Sequence, residues 1–343
     1  MPPDPDSMPL RPVVAVVGAT GAVGEVLLDV LAARSFPVAE LRALASRDSV
    51  GRSVVFRGRE VRVQEATADA LAGADLVFFA ATGELSHELA PAAVERGARV
   101  VDKSATFRLD PEVPLVVPEI NGRLVTTDTR LVACPNCTTI GLVMALEPIR
   151  RAAGLARVVV TTLQAASGAG RPGLDELREQ ERAAGSGSDA PRPAVFGAPL
   201  HGNAIPVCDA LGADGVTLEE RKLLLETRRI LDLPQLALSA TCTRVPVAVG
   251  HCASIWLETE RPLTPEQASE ALAAFPGVRV AGDPFAATPL GVAGTDDVLV
   301  ARVRQVALGT DVARGLALWQ TADNLRKGAA TNAVQIAELF LAR

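Results

Sequence analysis

Val13-Val14-Ala15-Val16-Val17-Gly18-Ala19-Thr20-Gly21-Ala22-Val23-Gly24 is the stretch that decides the fold. An unbroken apolar, mostly β-branched run describes a strand buried on both faces, the habit of a parallel sheet. The glycines at 18, 21 and 24 and the amphipathic residues that continue to about Ala33 describe a tight turn into a helix. Absent Cβ atoms at such a turn let the backbone approach a pyrophosphate, and the free N–H groups and dipole of the helix start favour its charge. Gly18, Ala19, Thr20, Gly21, Ala22, Val23 and Gly24 are therefore expected to cradle a dinucleotide. Glycines that serve only a close helix packing are the competing reading, because Gly-x-x-Gly-x-x-Gly is a variant of the usual fingerprint.

Outward from this turn, short apolar runs at residues 41–45, 75–81, 99–102 and 131–133 alternate with helical stretches such as 86–96. Strand and helix alternating at this pitch predict a parallel α/β sheet. The run 41–45 ends in Ser46-Arg47-Asp48-Ser49, so a hydroxyl and a guanidinium stand where an NAD enzyme places an acid for the ribose 2′-hydroxyl. That chemistry suits a 2′-phosphate. Ser46, Arg47 and Ser49 are read as contacts that favour NADP over NAD, against a solvated turn in which Asp48 repels phosphate. From about Arg157 the texture changes to longer strand-like segments at 158–165, 241–249 and 254–260, separated by helices and one loose Gly-, Ser- and Pro-rich stretch at 185–199. This predicts a second, α+β domain, and the chain closes on a helix over 327–343.

A length of 343 residues exceeds one ordinary core and predicts two domains. Lys and Arg number 34 against 40 Asp and Glu, a formal charge of −6, and no basic run is present, which argues against nucleic acid as partner. No apolar run approaches the ~20 residues that span a bilayer, and residues 1–12 lack the basic and apolar regions of a signal peptide; they are expected to form a disordered leader. The reading is a cytoplasmic protein. The chain has no Tyr, which removes every dehydrogenase mechanism that needs a tyrosine acid. Five cysteines, an odd number, favour free thiols over a disulfide framework.

The segment Cys134-Pro135-Asn136-Cys137-Thr138-Thr139 follows a strand and precedes the helical stretch 140–151. Cys137 is expected in the first turn of that helix, where unpaired N–H groups stabilise a thiolate, the mark of a nucleophile. A Cys-x-x-Cys redox pair or half of a zinc site is the alternative; with Cys208, Cys242 and Cys252 scattered, no metal site is expected. A proton-transfer partner must come from three histidines. His251, after a strand and a glycine, is best placed, His87 is expected to be structural, and His201 stands beside the loose stretch.

At these residues the sequence resembles the aspartate-β-semialdehyde dehydrogenase family. The resemblance runs through Gly18 to Gly24, Phe107-Arg108, residues 117–121 (VPEIN), 135–139 (PNCTT), 164–170 (QAASGAG), 239–247 (SATCTRVPV), Gly250-His251 and 323–330 (DNLRKGAA). It implies a Rossmann-type domain of residues 13–133 plus 322–343 with an inserted catalytic and dimerisation domain, 134–321, in a homodimer. It implies NADPH-dependent reduction of aspartyl phosphate to aspartate semialdehyde, a step in the biosynthesis of lysine, threonine and methionine. Carried over by position, Cys137 is the nucleophile, His251 the acid/base and Gln164 the residue that orients a thioester. Arg244 holds the substrate carboxylate, Glu219 its ammonium, and Lys222, Arg108 and Asn136 the phosphate, while Ser167, Gly168 and Asn324 join the cofactor contacts. Glu219 and Lys222, three apart on a predicted helix, also have the spacing of an ordinary exposed ion pair.

Several positions depart from the family's pattern. Lys103 replaces the usual Asn, Cys252-Ala253 replaces Ser-Glu after the histidine, and Ile205-Pro206-Val207-Cys208-Asp209 carries Val-Cys before its Asp where the family has His/Gln-Ile. These changes leave every named chemical group in place and fit a paralogue of a specialised pathway as well as a housekeeping enzyme. An N-acetyl-glutamyl-phosphate reductase and a non-catalytic NADP-binding relative are the rival readings.

Overall fold

The computed structural model describes residues 8–307 and 312–342; of the expected leader, residues 1–7 lie outside these. Two compact units divide the chain, one formed by residues up to Asn136 together with those from Ala329 onward, the other by Cys137–Gly328.

The first unit begins with β1 (Val13–Val17) and α1 (Ala22–Ala33), then β2 (Glu40–Ala45), β3 (Ser53–Phe56), β4 (Arg59–Glu65), β5 (Leu76–Phe79), α2 (Gly83–Glu95), β6 (Arg99–Asp102), α3 (Pro118–Asn121) and β7 (Leu131–Ala133). Its seven-stranded sheet has the order β3-β4-β2-β1-β5-β6-β7, parallel except for the β3–β4 hairpin. The strand order reverses at β1, which has β2 on one side and β5 on the other, so a crevice opens at the carboxyl ends of β1 and β5, the position where doubly wound sheets take ligands. Val14 to Val17 are wholly buried, as the apolar run predicts. The hairpin β3–β4 escapes the pattern reading because β4 is mostly polar, yet Arg57 and Gly58 at its turn both take positive φ (50° and 74°), the demand of a two-residue hairpin.

The second unit holds α4 (Cys137–Ala153), β8 (Arg157–Gln164), α5 (Gly170–Ser186), α6 (Leu218–Ile230), β9 (Ala237–Arg244), β10 (His251–Glu258), α7 (Pro265–Ala273), β11 (Val278–Val280), α8 (Pro289–Val292), β12 (Val298–Gln305) and β13 (Gly315–Ala322). The chain then passes a π-helical turn, Arg326–Ala330, and returns to the first unit as α9 (Thr331–Leu341). The six-stranded sheet runs β11-β12-β13-β10-β8-β9, with β8–β9 and β11–β12 parallel and the remainder antiparallel. Val158, Val160, Thr162 and Gln164 of β8 are buried under the helices, while Val159 and Trp256 on the opposite face are 42% and 39% exposed. The second tryptophan, Trp319 of β13, donates its Nε1–H to Ala287 O at 2.8 Å.

Two expectations are corrected here. The strand expected over 241–249 stops at Arg244, because Pro246 has no N–H for the ladder and residues 245–248 instead bond to Gln164, Ala166 and Ser167 in a turn. The stretch 185–199 is less loose than its composition implies. Helix α5 extends to Ser186, Glu176 accepts from the N–H groups of Ala194 and Val195 (both 2.7 Å), and Gln180 accepts from those of Leu200 and His201 (2.8 and 2.9 Å).

The turn after β1 depends on its glycines. Gly18 has φ +88°, and a Cβ on Gly24 would collide with Gly18 O and lie 2.8 Å from Ala19 Cα. Neither neighbour is a flexible side chain, so Gly24→Ala should lower the unfolding free energy by about 1–3 kcal/mol, the usual cost of overpacking, measurable by urea titration.

Candidate active site

The functional side chains of the second unit converge because three strand ends meet. Gln164 and Arg244, the last residues of the parallel strands β8 and β9, are register partners. His251 begins β10, whose next residue, Cys252, pairs with Leu163 of β8. The same end of the sheet therefore carries Gln164, Arg244 and His251, all buried. Cys137 is the first residue of α4, and its Sγ lies 3.4 Å from His251 Nε2. Gly328 packs against it so closely that a Cβ there would stand 3.1 Å from Cys137 Cβ.

The tautomer of His251 follows from its other nitrogen. Nδ1 accepts the backbone N–H of Ala165 at 3.0 Å. An acceptor nitrogen carries no proton, so the ring proton of the neutral imidazole sits on Nε2 and is aimed at the sulfur. A charged acceptor strengthens such a bond, which makes the Cys137 thiolate the better partner. Gly250 is tied from behind by Asn324, whose Oδ1 accepts its N–H at 2.9 Å and whose Nδ2 donates to Ser167 Oγ at 2.9 Å. Ser167 and Asn324, expected as cofactor contacts, thus bond each other in the second unit and brace the start of β10.

Arg244 donates from Nη1 to Ala165 O at 2.6 Å, and its guanidinium lies over the Phe196 ring, 5.6 Å from the centroid. Phe196 belongs to the segment that α5 anchors. Gly168, also expected as a cofactor contact, leaves the space these groups occupy: a Cβ on it would lie 2.7 Å from Arg244 Nη1 and 3.2 Å from His251 Nε2.

Glu219 enters from the first turn of α6, whose start is fixed by a capping box between Thr217 and Glu220. Its Oε1 accepts from Thr138 Oγ1 at 3.3 Å and Gln164 Nε2 at 3.2 Å, and its Oε2 lies 3.5 Å from Lys222 Nζ. The carboxylate therefore binds α4, β8 and α6 together beside Cys137. The ion-pair spacing read from sequence is real, but Glu219 is buried while Lys222 is 27% exposed. The lysine meets a second acid, Asp209 Oδ2, at 2.5 Å.

In the first unit the sequence-predicted cofactor residues gather at the crevice. No side chain caps α1 at Gly21, which leaves first-turn N–H groups for an anion. Thr20 Oγ1 donates to Ser49 Oγ at 3.3 Å, linking the glycine turn to the turn after β2. Beyond that turn a cavity of about 350 Å³ is lined by Ser46 and Arg47, by Thr82 before α2, and by Glu65, Glu84 and Glu88. A nucleotide fits this set: backbone N–H groups for pyrophosphate, hydroxyls and carboxylates for ribose, and a guanidinium for a 2′-phosphate. Arg108 and Asn136 also belong to this unit and are buried; Arg108 donates to the carbonyls of Cys134 (3.0 Å) and Lys103 (2.7 Å).

His87 and His201 are exposed. All five cysteines are free thiols. Burial pushes the Cys208 thiol up to about 12 and raises those of Cys242 and Cys252, so they stay protonated at neutral pH, whereas Cys137 is only partly buried. Among the described residues no group of three or more His, Cys, Asp or Glu could hold a metal. Sequence reasoning missed Thr138, Ala165, Phe196, Asp209 and Gly328. Thr138 beside Cys137 and Gly328 in its own motif were visible as neighbours; nothing in the spacing points to the other three.

Gly168→Ala tests the packing beneath Arg244 and His251. The nearest obstacle is the end of a flexible side chain, so thermal stability should change little, while displacement of the guanidinium should raise the KM for a carboxylate substrate about tenfold or more in steady-state assays.

Residues 13–127 match the family described as semialdehyde dehydrogenase, NAD binding domain, and residues 146–327 match its dimerisation domain. The chain is 44% identical over 334 residues to the aspartate-semialdehyde dehydrogenase of Aquifex aeolicus, covering 96% of this chain and 97% of that one. It is 42% identical over 338 residues to that of Bacillus subtilis, covering 95% and 96%. The solved structure of aspartate semialdehyde dehydrogenase II of Vibrio cholerae complexed with ASA superposes with a TM-score of 0.92 at 41% identity, over 97% of this chain and 98% of that one. A Rossmann-type unit, a dimerisation unit with a cysteine facing a histidine across 3.4 Å, and relatives of this identity along nearly its whole length place the chain in the aspartate-semialdehyde dehydrogenase family.

Proposed function

We propose that the chain catalyses the NADPH-dependent reductive dephosphorylation of L-aspartyl-4-phosphate to L-aspartate 4-semialdehyde through a thioester on Cys137. The observation that carries this reading is the Cys137 Sγ to His251 Nε2 approach at the sheet end that also bears Gln164 and Arg244. The thiolate attacks the acyl carbon, an S–C bond forms, the C–O bond to phosphate breaks, and the departing phosphate takes up the one proton the reaction consumes. Covalent catalysis divides one hard reduction into two easier steps. When bound, the nicotinamide supplies the hydride that the thioester carbon receives. His251 then donates its Nε2–H bond to the oxyanion, and first-turn N–H groups of α4 add to that stabilisation. Collapse of the oxyanion releases the aldehyde and returns the thiolate to His251.

Gln164 orients the thioester, Arg244 clamps the α-carboxylate with its planar fork, and Glu219 takes the α-ammonium. Lys222, Arg108 and Asn136 receive the phosphate. A buried carboxylate at Glu219 favours a substrate with a free ammonium over an N-acetylated one. Arg47 is the cation of the cavity after β2 and supports a preference for NADP; the glutamates on the same wall moderate it. The enzyme acts as a cytoplasmic homodimer with no nucleic-acid or membrane partner. Its formal charge of −6 and the half-exposed Val159 and Trp256 on the open sheet face of the dimerisation unit support this. No helix among the described residues is long and apolar enough to cross a membrane.

Purified, reduced protein should reduce NADP with aspartate semialdehyde only when phosphate is present, and should fail with N-acetylglutamate semialdehyde; turnover of neither overturns the proposal. Cys137→Ser should lower kcat by more than about 10³-fold with cofactor binding unchanged, whereas Cys134→Ser should remain active. Arg47→Ala should weaken NADP binding about tenfold in fluorescence titration and leave NAD binding unaltered.

A further inference from the structure

Asp209 is a non-glycine residue with φ +68°, in the left-handed region where Asp and Asn are the side chains most readily tolerated. The segment that carries it is fixed at both ends. Ile205 exchanges backbone hydrogen bonds with Arg244 of β9 (2.9 and 2.8 Å), and Ala210 O accepts the N–H of Leu218 at the head of α6 (2.9 Å). The left-handed turn aims the carboxylate across at α6, where Oδ2 meets Lys222 Nζ at 2.5 Å while Oδ1 accepts the N–H of Ala210 at 2.8 Å. Lys222 is thus held between two carboxylates, Asp209 outside and Glu219 inside. Burial raises the Asp209 carboxyl, but the bonds from Lys222 and the Ala210 N–H, with a smaller pull from Arg244, more than offset this and hold it below the ordinary carboxylate range, so it is ionised at neutral pH.

We propose that Asp209 is a positioning residue that latches Lys222 in the phosphate-free enzyme and competes with phosphate for it. The inference rests on Lys222 as a phosphate-binding residue in the reaction proposed above. A phosphate dianion that approaches Lys222 must displace the Asp209 carboxylate from it. With 27% of the lysine and 38% of the aspartate side chain open to solvent, the pair is of the weakly held kind that an arriving dianion can part. In the reductive direction the same carboxylate recaptures the lysine and helps the product phosphate leave, which keeps the acyl-transfer step from stalling on tightly held phosphate.

The test is steady-state kinetics in both directions with two variants that accept the left-handed backbone. Asp209→Asn keeps the shape and removes the charge; Asp209→Gly removes the side chain altogether. Both should lower the KM for phosphate about fivefold and strengthen product inhibition by phosphate to the same extent, with the KM for aspartate semialdehyde and the thermal midpoint unchanged. In a Lys222→Ala background, Asp209→Asn should leave the phosphate KM where Lys222→Ala alone puts it, an outcome that a structural role for Asp209 does not produce. A phosphate KM that is unchanged or raised in both variants, or an Asp209→Asn effect that persists without Lys222, overturns the latch. Absence of phosphate-dependent turnover in the unsubstituted protein overturns the reading it rests on, and the latch with it.

Discussion

The chemistry of the second unit depends on the register in which β8 lies between β9 and β10. A strand alternates its side chains between two faces, so a one-residue slip of β8 would carry Gln164 to the open face and bring Leu163 inward beside Arg244. The register is held by apolar burial on one side, with Val158 and Val160 wholly covered, and by Glu220 of α6, which accepts the N–H of Cys242 at 3.0 Å. Once the register is set, the turn 245–248 folds back onto Ala166 and Ser167, and Ala165 is left with its N–H aimed at His251 and its carbonyl at Arg244. One residue, Ala165, therefore orients both the histidine and the Arg244 guanidinium.

The second constraint is electrostatic. A charge removed from water must be paired, or it neutralises. Glu219 meets that requirement by bonding three side chains from three elements, so the group proposed to bind substrate also fixes the N-terminus of α4 relative to β8. The protein's net charge of −6 hides this arrangement, because the buried acid and its cationic neighbours nearly cancel locally. Composition argues against a nucleic-acid partner yet says nothing of a buried carboxylate paired in this way.

The nucleotide-binding half was legible because its signals are local. A β-branched run, three glycines at fixed offsets and the helix that follows lie within Val13 to Ala33, and the structure keeps them as a strand, a turn and a helix. The placement of Cys137 at the head of α4 was legible for the same reason, since strand, Pro-Asn-Cys and helix are consecutive. What stayed hidden is long-range. Strands β12 and β13 were not anticipated, although β13 pairs with β10 along its whole length. The pinning of residues 194–201 depends on two buried polar side chains of α5, which read in sequence as ordinary surface residues. Asp209 is the clearest case: its left-handed backbone is imposed by hydrogen bonds to β9 and α6, and a lone Asp before Ala gives no sign of it.

The distribution of aromatic residues has an optical consequence. The chain has two tryptophans and no tyrosine, and both tryptophans, Trp256 and Trp319, stand on adjacent strands of the second unit. The nucleotide-binding unit is therefore dark under tryptophan excitation. Intrinsic emission reports the dimerisation sheet alone, through one indole partly open to solvent and one held by a backbone carbonyl. A shift in that emission would report a change around the dimerisation sheet itself, which turns an uneven composition into a built-in gauge of that one unit.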